Sequence, residues 1–148
     1  MIAISNASPL IALSRIYRVD IFQKLFGRIV IPSIVHREVV INCPNPNQKH
    51  YLENAVRTFI DVKQPRKYLT FTRNLGKGEQ GVLSLAVEMS PNIVLIDDKK
   101  ARNEAREIGY MPSFTTDIIK EAEHQGFIPS YKRIIRKLYE KKIYLPEN

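Results

Sequence analysis

The sequence predicts an α/β fold in three layers, helices packed on both faces of a central parallel sheet, and three observations carry that prediction. Short runs of consecutive large aliphatics, Ile93-Val94-Leu95-Ile96 above all, describe strands buried on both faces, as interior parallel strands are. Between these runs lie segments with helical spacing, so strand and helix alternate along the chain. The run at 92–98 also ends in Asp97-Asp98. In open α/β sheets, sites gather beyond the carboxyl ends of strands.

Residues 1–5 read as the first interior strand, broken by Asn6-Ala7-Ser8-Pro9. Ser8 is placed to cap a helix over 9–16, whose first residue is proline in its preferred position. Leu10, Ile11, Leu13 and Ile16 supply its apolar stripe. A second helix, 19–26, stops at Gly27. Residues 28–32 form the next buried strand, and Ser33 stands to cap a helix over 34–41 that carries Glu38. The stretch 42–48, with two prolines and three asparagines, reads as a mobile loop. Helical spacing resumes over 50–58, residues 59–63 read as a short edge strand, and 64–78 is basic and irregular. A helix over 79–89 buries Val82, Leu83, Leu85 and Ala86 and leads into the strand ending at Asp97. Helical sequence then runs from Lys99 to Gly109. Thr115 or Thr116 caps a helix over 117–124, and Pro129 opens a last one through Lys142.

With 148 residues, 44% of them hydrophobic, the chain can bury one full core and hardly two. No repeat or linker divides it, so 1–148 is expected to be a single domain ending in a basic helix at 129–142. Lysine and arginine outnumber the acids 23 to 15, a net charge of +8 that favours a polyanionic partner without establishing one. The lone Cys43 has no disulfide partner, which suits a reducing compartment. No apolar run approaches the roughly 20 residues of a membrane span, and no leader pattern opens the sequence. The expectation is a cytoplasmic protein.

Several oxygen-bearing side chains fall at element ends. Asn6 and Asp97-Asp98 follow two strands, Glu38 lies a helical turn and a half beyond a third, and Glu79 opens the helix entering the fourth. Clustered carboxylates repel unless a cation neutralises them, and an all-oxygen set suits a hard divalent ion, Mg2+ or Mn2+. His36, His50 and His124 share no zinc-like spacing with Cys43. Such a cation in a basic protein points to phosphodiester chemistry. Each acid also has a structural reading: Asp97 and Asp98 as helix caps, Glu79 as an ordinary first-turn acid, Glu38 as a partner of Arg37 or another base. Asp117, first in its helix, is read as favouring the helix dipole rather than ligating.

Ser5-Asn6-Ala7-Ser8-Pro9-Leu10-Ile11, then Arg28-Ile29-Val30-Ile31-Pro32 with Glu38, then Leu75-Gly76-Lys77-Gly78-Glu79, then Leu95-Ile96-Asp97-Asp98-Lys99-Lys100-Ala101-Arg102 together resemble the PIN-domain nucleases. More narrowly they resemble a prokaryotic PIN-like branch often encoded beside a small antitoxin. The resemblance spans nearly the whole chain. It implies a PIN-like α/β/α fold and Mg2+- or Mn2+-dependent endoribonuclease activity of the toxin type, with an antitoxin partner and a homodimer. It implies Glu38, Glu79 and Asp97 as catalytic acids and metal ligands, with Asn6 as a weaker oxygen ligand and Asp98 as either a fourth acid or an alternative to Asp97. Two departures stand out. Asn6 occupies the place of the usual first aspartate, which removes a charge and a proton acceptor and makes a weakened or inactive RNA- or partner-binding protein the alternative. Phe114 stands where the branch usually has glycine, next to a retained Thr115.

Basic residues would meet the substrate. Arg66, Lys67, Arg73 and Lys77 precede the acidic helix and are placed to hold an RNA backbone, and Ser8 is a secondary candidate for contact with an acid of the site. The last helix alternates Lys132, Arg133, Arg136 and Lys137 with apolar residues and tyrosines. That pattern fits either a solvated face or one turned to phosphates.

Overall fold

A computed structural model of the protein describes residues 1–147. Five strands form one parallel sheet in the order β3-β2-β1-β4-β5: β1 Ala3–Ser5, β2 Ile29–Pro32, β3 Ile60–Lys63, β4 Ile93–Leu95 and β5 Pro112–Ser113. The aliphatic runs become strands because both faces are covered: Ile4, Ile29, Ile31 and Leu95 are fully buried. The described residues form eight α-helices around the sheet: α1 Ala7–Arg15, α2 Asp20–Phe26, α3 Ser33–His36, α4 Pro46–Thr58, α5 Lys77–Met89, α6 Lys99–Glu107, α7 Thr115–His124 and α8 Tyr131–Glu140. Helix α5 packs on β1, β2 and α3, whereas α2 packs on α7, and α7 on α8. Val19, Ile21 and Phe22 of the second helical segment are buried in the core.

The topology determines where the site can be. The chain builds outward from β1 through β2 to β3, then returns to lay β4 on the other side of β1. Strand order therefore reverses between β1 and β4, and loops leaving their carboxyl ends diverge and open a crevice. Residues Ser5 and Leu95 are opposite one another in register, and the Asn6 amide donates to the Leu95 carbonyl at 3.0 Å. Asn6 and Asp97 consequently emerge side by side.

The structure departs from the sequence reading in several places. The 42–48 loop is shorter than expected, because the Asn45 side chain accepts the Gln48 amide at 3.0 Å and Pro46 opens α4. The helix expected over 34–41 is α-helical only through His36 and continues as a π-helical turn, Arg37–Ile41. Neither Ser8 nor Ser33 caps a helix: both lie inside the first turn, after the residue in the cap position. Helices α5 and α7 begin two residues earlier than expected, at Lys77 and Thr115. Strand β5 escaped notice because it is two residues long and starts on proline, a residue tolerated at a strand's first position. The 59–63 segment is the sheet-edge strand expected.

Candidate active site at the ends of β1 and β4

Asn6 follows β1 and is 6% exposed. Its Oδ1 faces Gly78, in the first turn of α5, as does the Glu38 carboxylate from the π-helical turn. A Cβ at Gly78 would lie 3.2 Å from Asn6 Oδ1, 3.5 Å from Val35 Cγ2 and 3.6 Å from Glu38 Oε2. A glycine here therefore leaves room that two oxygen-bearing side chains border. Glu38 is exposed although Val39 and Val40 beside it are buried. The wider π turn changes which direction each of its side chains takes, and such turns recur at functional sites.

Asp97 follows β4 and is 8% exposed. Three donors hold it. The Thr115 amide reaches Oδ1 at 2.8 Å, while the Thr115 hydroxyl at 2.6 Å and the Ser8 hydroxyl at 2.7 Å both reach Oδ2. Thr115 is the first residue of α7, so the carboxylate also sits at the positive end of a helix dipole. Oδ2 is saturated and Oδ1 keeps a lone pair, which fixes the direction in which Asp97 can accept anything further. Ser8 thus takes the secondary role considered for it. It ties β1's exit loop to β4's.

Behind Asp97 lies Arg102, only 4% exposed. Its guanidinium donates to the Ile96 carbonyl at 3.1 Å and stacks 3.4 Å from the Phe114 ring centroid. Burial, then Arg106, lowers its pKa, against the pull of Asp117 and Asp97. Phe114 in place of glycine is therefore the flat wall against which this arginine rests. Asp117 accepts the Phe114 amide at 2.8 Å and closes the first turn of α7.

Glu79 and Asp98 have local engagements. The Glu79 carboxylate turns back over Gly76, with oxygens 3.0 and 3.1 Å from where a Cβ would stand there. Asp98 caps α6, accepting the Ala101 amide at 3.0 Å. No group of three His, Cys, Asp or Glu side chains stands, as placed, where it could hold a metal ion among the described residues. The structure brings Asn6 and Glu38 to one cradle and Asp97 to the adjoining strand end; it does not gather Glu38, Glu79 and Asp97 into one cluster.

Of the basic residues, Lys77 opens α5 beside the cradle and is exposed. Arg73 is held elsewhere, bonded to Glu104 at 2.6 Å and Glu107 at 2.8 Å, contacts that raise its pKa further, Glu107 most. Glu104 is buried and also takes the Thr72 amide at 2.6 Å and the Thr72 hydroxyl, so α6 anchors the irregular 64–76 segment. The backbone amides of Arg66 and Lys67 donate to Glu88, and their side chains are exposed. Thr115, Arg102 and Gly78 are the residues the sequence did not mark as functional. Gly78 lay inside one quoted motif, Arg102 closed another, and Thr115 was noted only as the retained neighbour of Phe114.

A family model described as "DUF3368: PIN domain" matches residues 2–148. The chain belongs to the PIN-domain family. No curated protein sequence matches it. Among solved structures, a PilT N-terminus domain protein from the hyperthermophilic archaeon Sulfolobus solfataricus is similar, with a TM-score of 0.63 at 17% identity over 82% of this chain and 93% of that one. That likeness shows the PIN-like α/β fold. PIN domains are generally nucleases that act on RNA and use divalent metal ions. No helix among the described residues of this PIN domain is long and apolar enough to cross a membrane. Its donor set fits a hard divalent cation chemically: Asn6 Oδ1, Glu38 and the open side of Asp97 Oδ1 are all oxygens, and Gly78 leaves space that Asn6 and Glu38 border.

Proposed function

We propose that this PIN domain is a metal-dependent endoribonuclease, the toxin of a toxin–antitoxin pair, working with Mg2+ or Mn2+. The observation that supports it most is the clamped Asp97. A carboxylate held by Ser8 and Thr115 at the strand-order reversal, beside the Asn6–Glu38 cradle, is organised beyond what strand termination requires. Asn6, Glu38 and Asp97 would hold the ion, with Glu79 and Asp98 as reserves after side-chain rotation. When bound, the cation supplies Lewis acidity toward the scissile phosphate and acidifies water. The chain's own groups orient the substrate: Lys77, Arg66 and Lys67 meet phosphates, and the first turn of α5 adds amide donors. Ser8 and Thr115 keep Asp97 in one rotamer, so its free lone pair needs no reorganisation. A small antitoxin covering this rim and a homodimer complete the proposal.

Purified protein incubated with structured RNA should cleave with Mg2+ or Mn2+ and stop with chelator. Asp97→Asn should abolish cleavage; cleavage that survives both changes refutes the mechanism. Asn6 motivates a second reading, a weakened or non-cutting RNA- or partner-binding PIN domain. An amide contributes no charge to the ion, and no three acids stand together around the cradle among the described residues. Asn6→Asp separates the two, because a gain in cleavage marks a weakened enzyme and continued inertness a binding module.

A further inference from the structure

Helix α8 buries Ile134 and Leu138 and leaves its remaining faces to solvent. Those faces and the residues just beyond carry Lys132, Arg133, Arg136, Lys137, Lys141 and Lys142, all exposed. The ion pairs among the described residues engage Arg18, Lys24, Arg28 and Arg73, and none of these six. Glu140 is the only acid on the helix. Like charges so concentrated repel one another, and a phosphate chain relieves that repulsion while releasing its own counterions.

A second observation sets the kind of polyanion. Tyr139 and Tyr144 are 57% and 65% exposed, with ring centroids 5.0 Å apart at 70°. Helix α8 and the returning segment form a partly open pocket of about 360 Å³ lined by Ile135, Leu138, Tyr139, Ile143, Leu145 and Glu147. The Glu147 carboxylate already accepts the Tyr131 hydroxyl at 2.6 Å and can accept from the N–H edge of a base. Apolar groups that line a hollow, rather than project from the helix, suit an inserted planar ring and not insertion among acyl chains. Exposed tyrosine rings amid unpaired cations form a stacking platform for unpaired bases.

We infer that α8 and residues 141–147 form a second binding site, specific for single-stranded nucleic acid, in which a base enters the pocket beside Tyr139 and phosphates run along the cations. The inference rests on the RNA reading above for the choice of RNA as ligand, while its residues are separate from the acidic rim. Fluorescence anisotropy of the full chain in chelator, with a labelled oligoadenylate of about 12 nucleotides, tests it without cleavage. The single strand should bind about tenfold more tightly than an RNA duplex of equal length, because paired bases cannot reach the rings. Tyr139→Ala and Tyr144→Ala should each weaken it by about tenfold, with Tyr139→Phe near wild type. Arg136→Ala with Lys137→Ala should lower the slope of log affinity against log salt by about 1.4.

Both tyrosines are more than half exposed, and unchanged melting curves will show that the variants fold. Equal affinity for duplex and single strand overturns the inference. So does wild-type affinity in both tyrosine variants, or preference for acidic phosphatidylserine vesicles over the oligonucleotide. Binding that persists when wild-type protein with Mn2+ cuts nothing sustains this site and refutes the nuclease; cleavage without tyrosine-dependent binding does the reverse.

Discussion

Asp97 shows how much of a site one side chain's neighbours decide. Three hydrogen bonds from two residues, Ser8 and Thr115, hold it. Thr115→Val removes the hydroxyl but keeps the amide and the shape. Leaving a buried carboxylate oxygen short of a donor should cost about 1–3 kcal/mol, read as a lower urea midpoint. If the site holds a cation, the same variant should weaken Mn2+ binding by about 10- to 100-fold, as loss of a group orienting a ligand does. Titration calorimetry measures that. Arg102→Ala leaves the Ile96 carbonyl and the Phe114 face without their partner, and should destabilise by about 3 kcal/mol. Arg102→Lys should recover less than half, since an ammonium cannot stack flat on a ring. Sequence made Asp97 visible, because two acids after an aliphatic run have few explanations. It could not show that Ser8 is a donor to Asp97 rather than a cap, as that depends on a residue 89 positions away.

At the scale of elements, the 64–76 segment owes its shape to α6. Burial alone would push the Glu104 carboxyl up, but hydrogen bonds from Thr72 and Arg73 outweigh it and bring it below its ordinary value of 4.5. A carboxyl lowered on folding adds stability that is complete above the unfolded value and lost as pH falls through the folded one. The melting-temperature gap between wild type and Glu104→Gln should therefore be full above the ordinary value of 4.5 and shrink as the pH falls through the lowered one. A gap that stays constant across that range would contradict the anchor. This segment was the least legible part of the sequence. It has no periodicity, and what organises it is a single acid on a distant helix. The π-helical turn was equally hidden: Arg37–Ile41 has ordinary helical spacing, and the wider turn buries Val39 and Val40.

For the molecule as a whole, alternation and buried aliphatic runs were enough to predict a parallel sheet, because covering both faces of a strand demands consecutive apolar residues. Strand β5 was beyond that reasoning, since a two-residue strand has no pattern to read. The charge of +8 is likewise a property of the molecule rather than of one site. Raising salt from about 50 to about 200 mM should weaken binding to any RNA at least tenfold. Chain lacking that dependence would not be held by phosphate contacts.

The hydrogen bond from Ser8 to Asp97 has a temporal meaning. Its two ends leave the ribosome far apart, and at about 5–20 residues per second many seconds separate them. The central strand must wait for β4 before its second edge is covered, and Thr115 arrives later still. A nascent chain thus carries its earliest strand long before it owns a finished rim, and any release short of α7 yields a polypeptide in which Asp97 lacks its Thr115 donors. A truncation ending at residue 110 should accordingly show neither cooperative melting nor RNA cleavage.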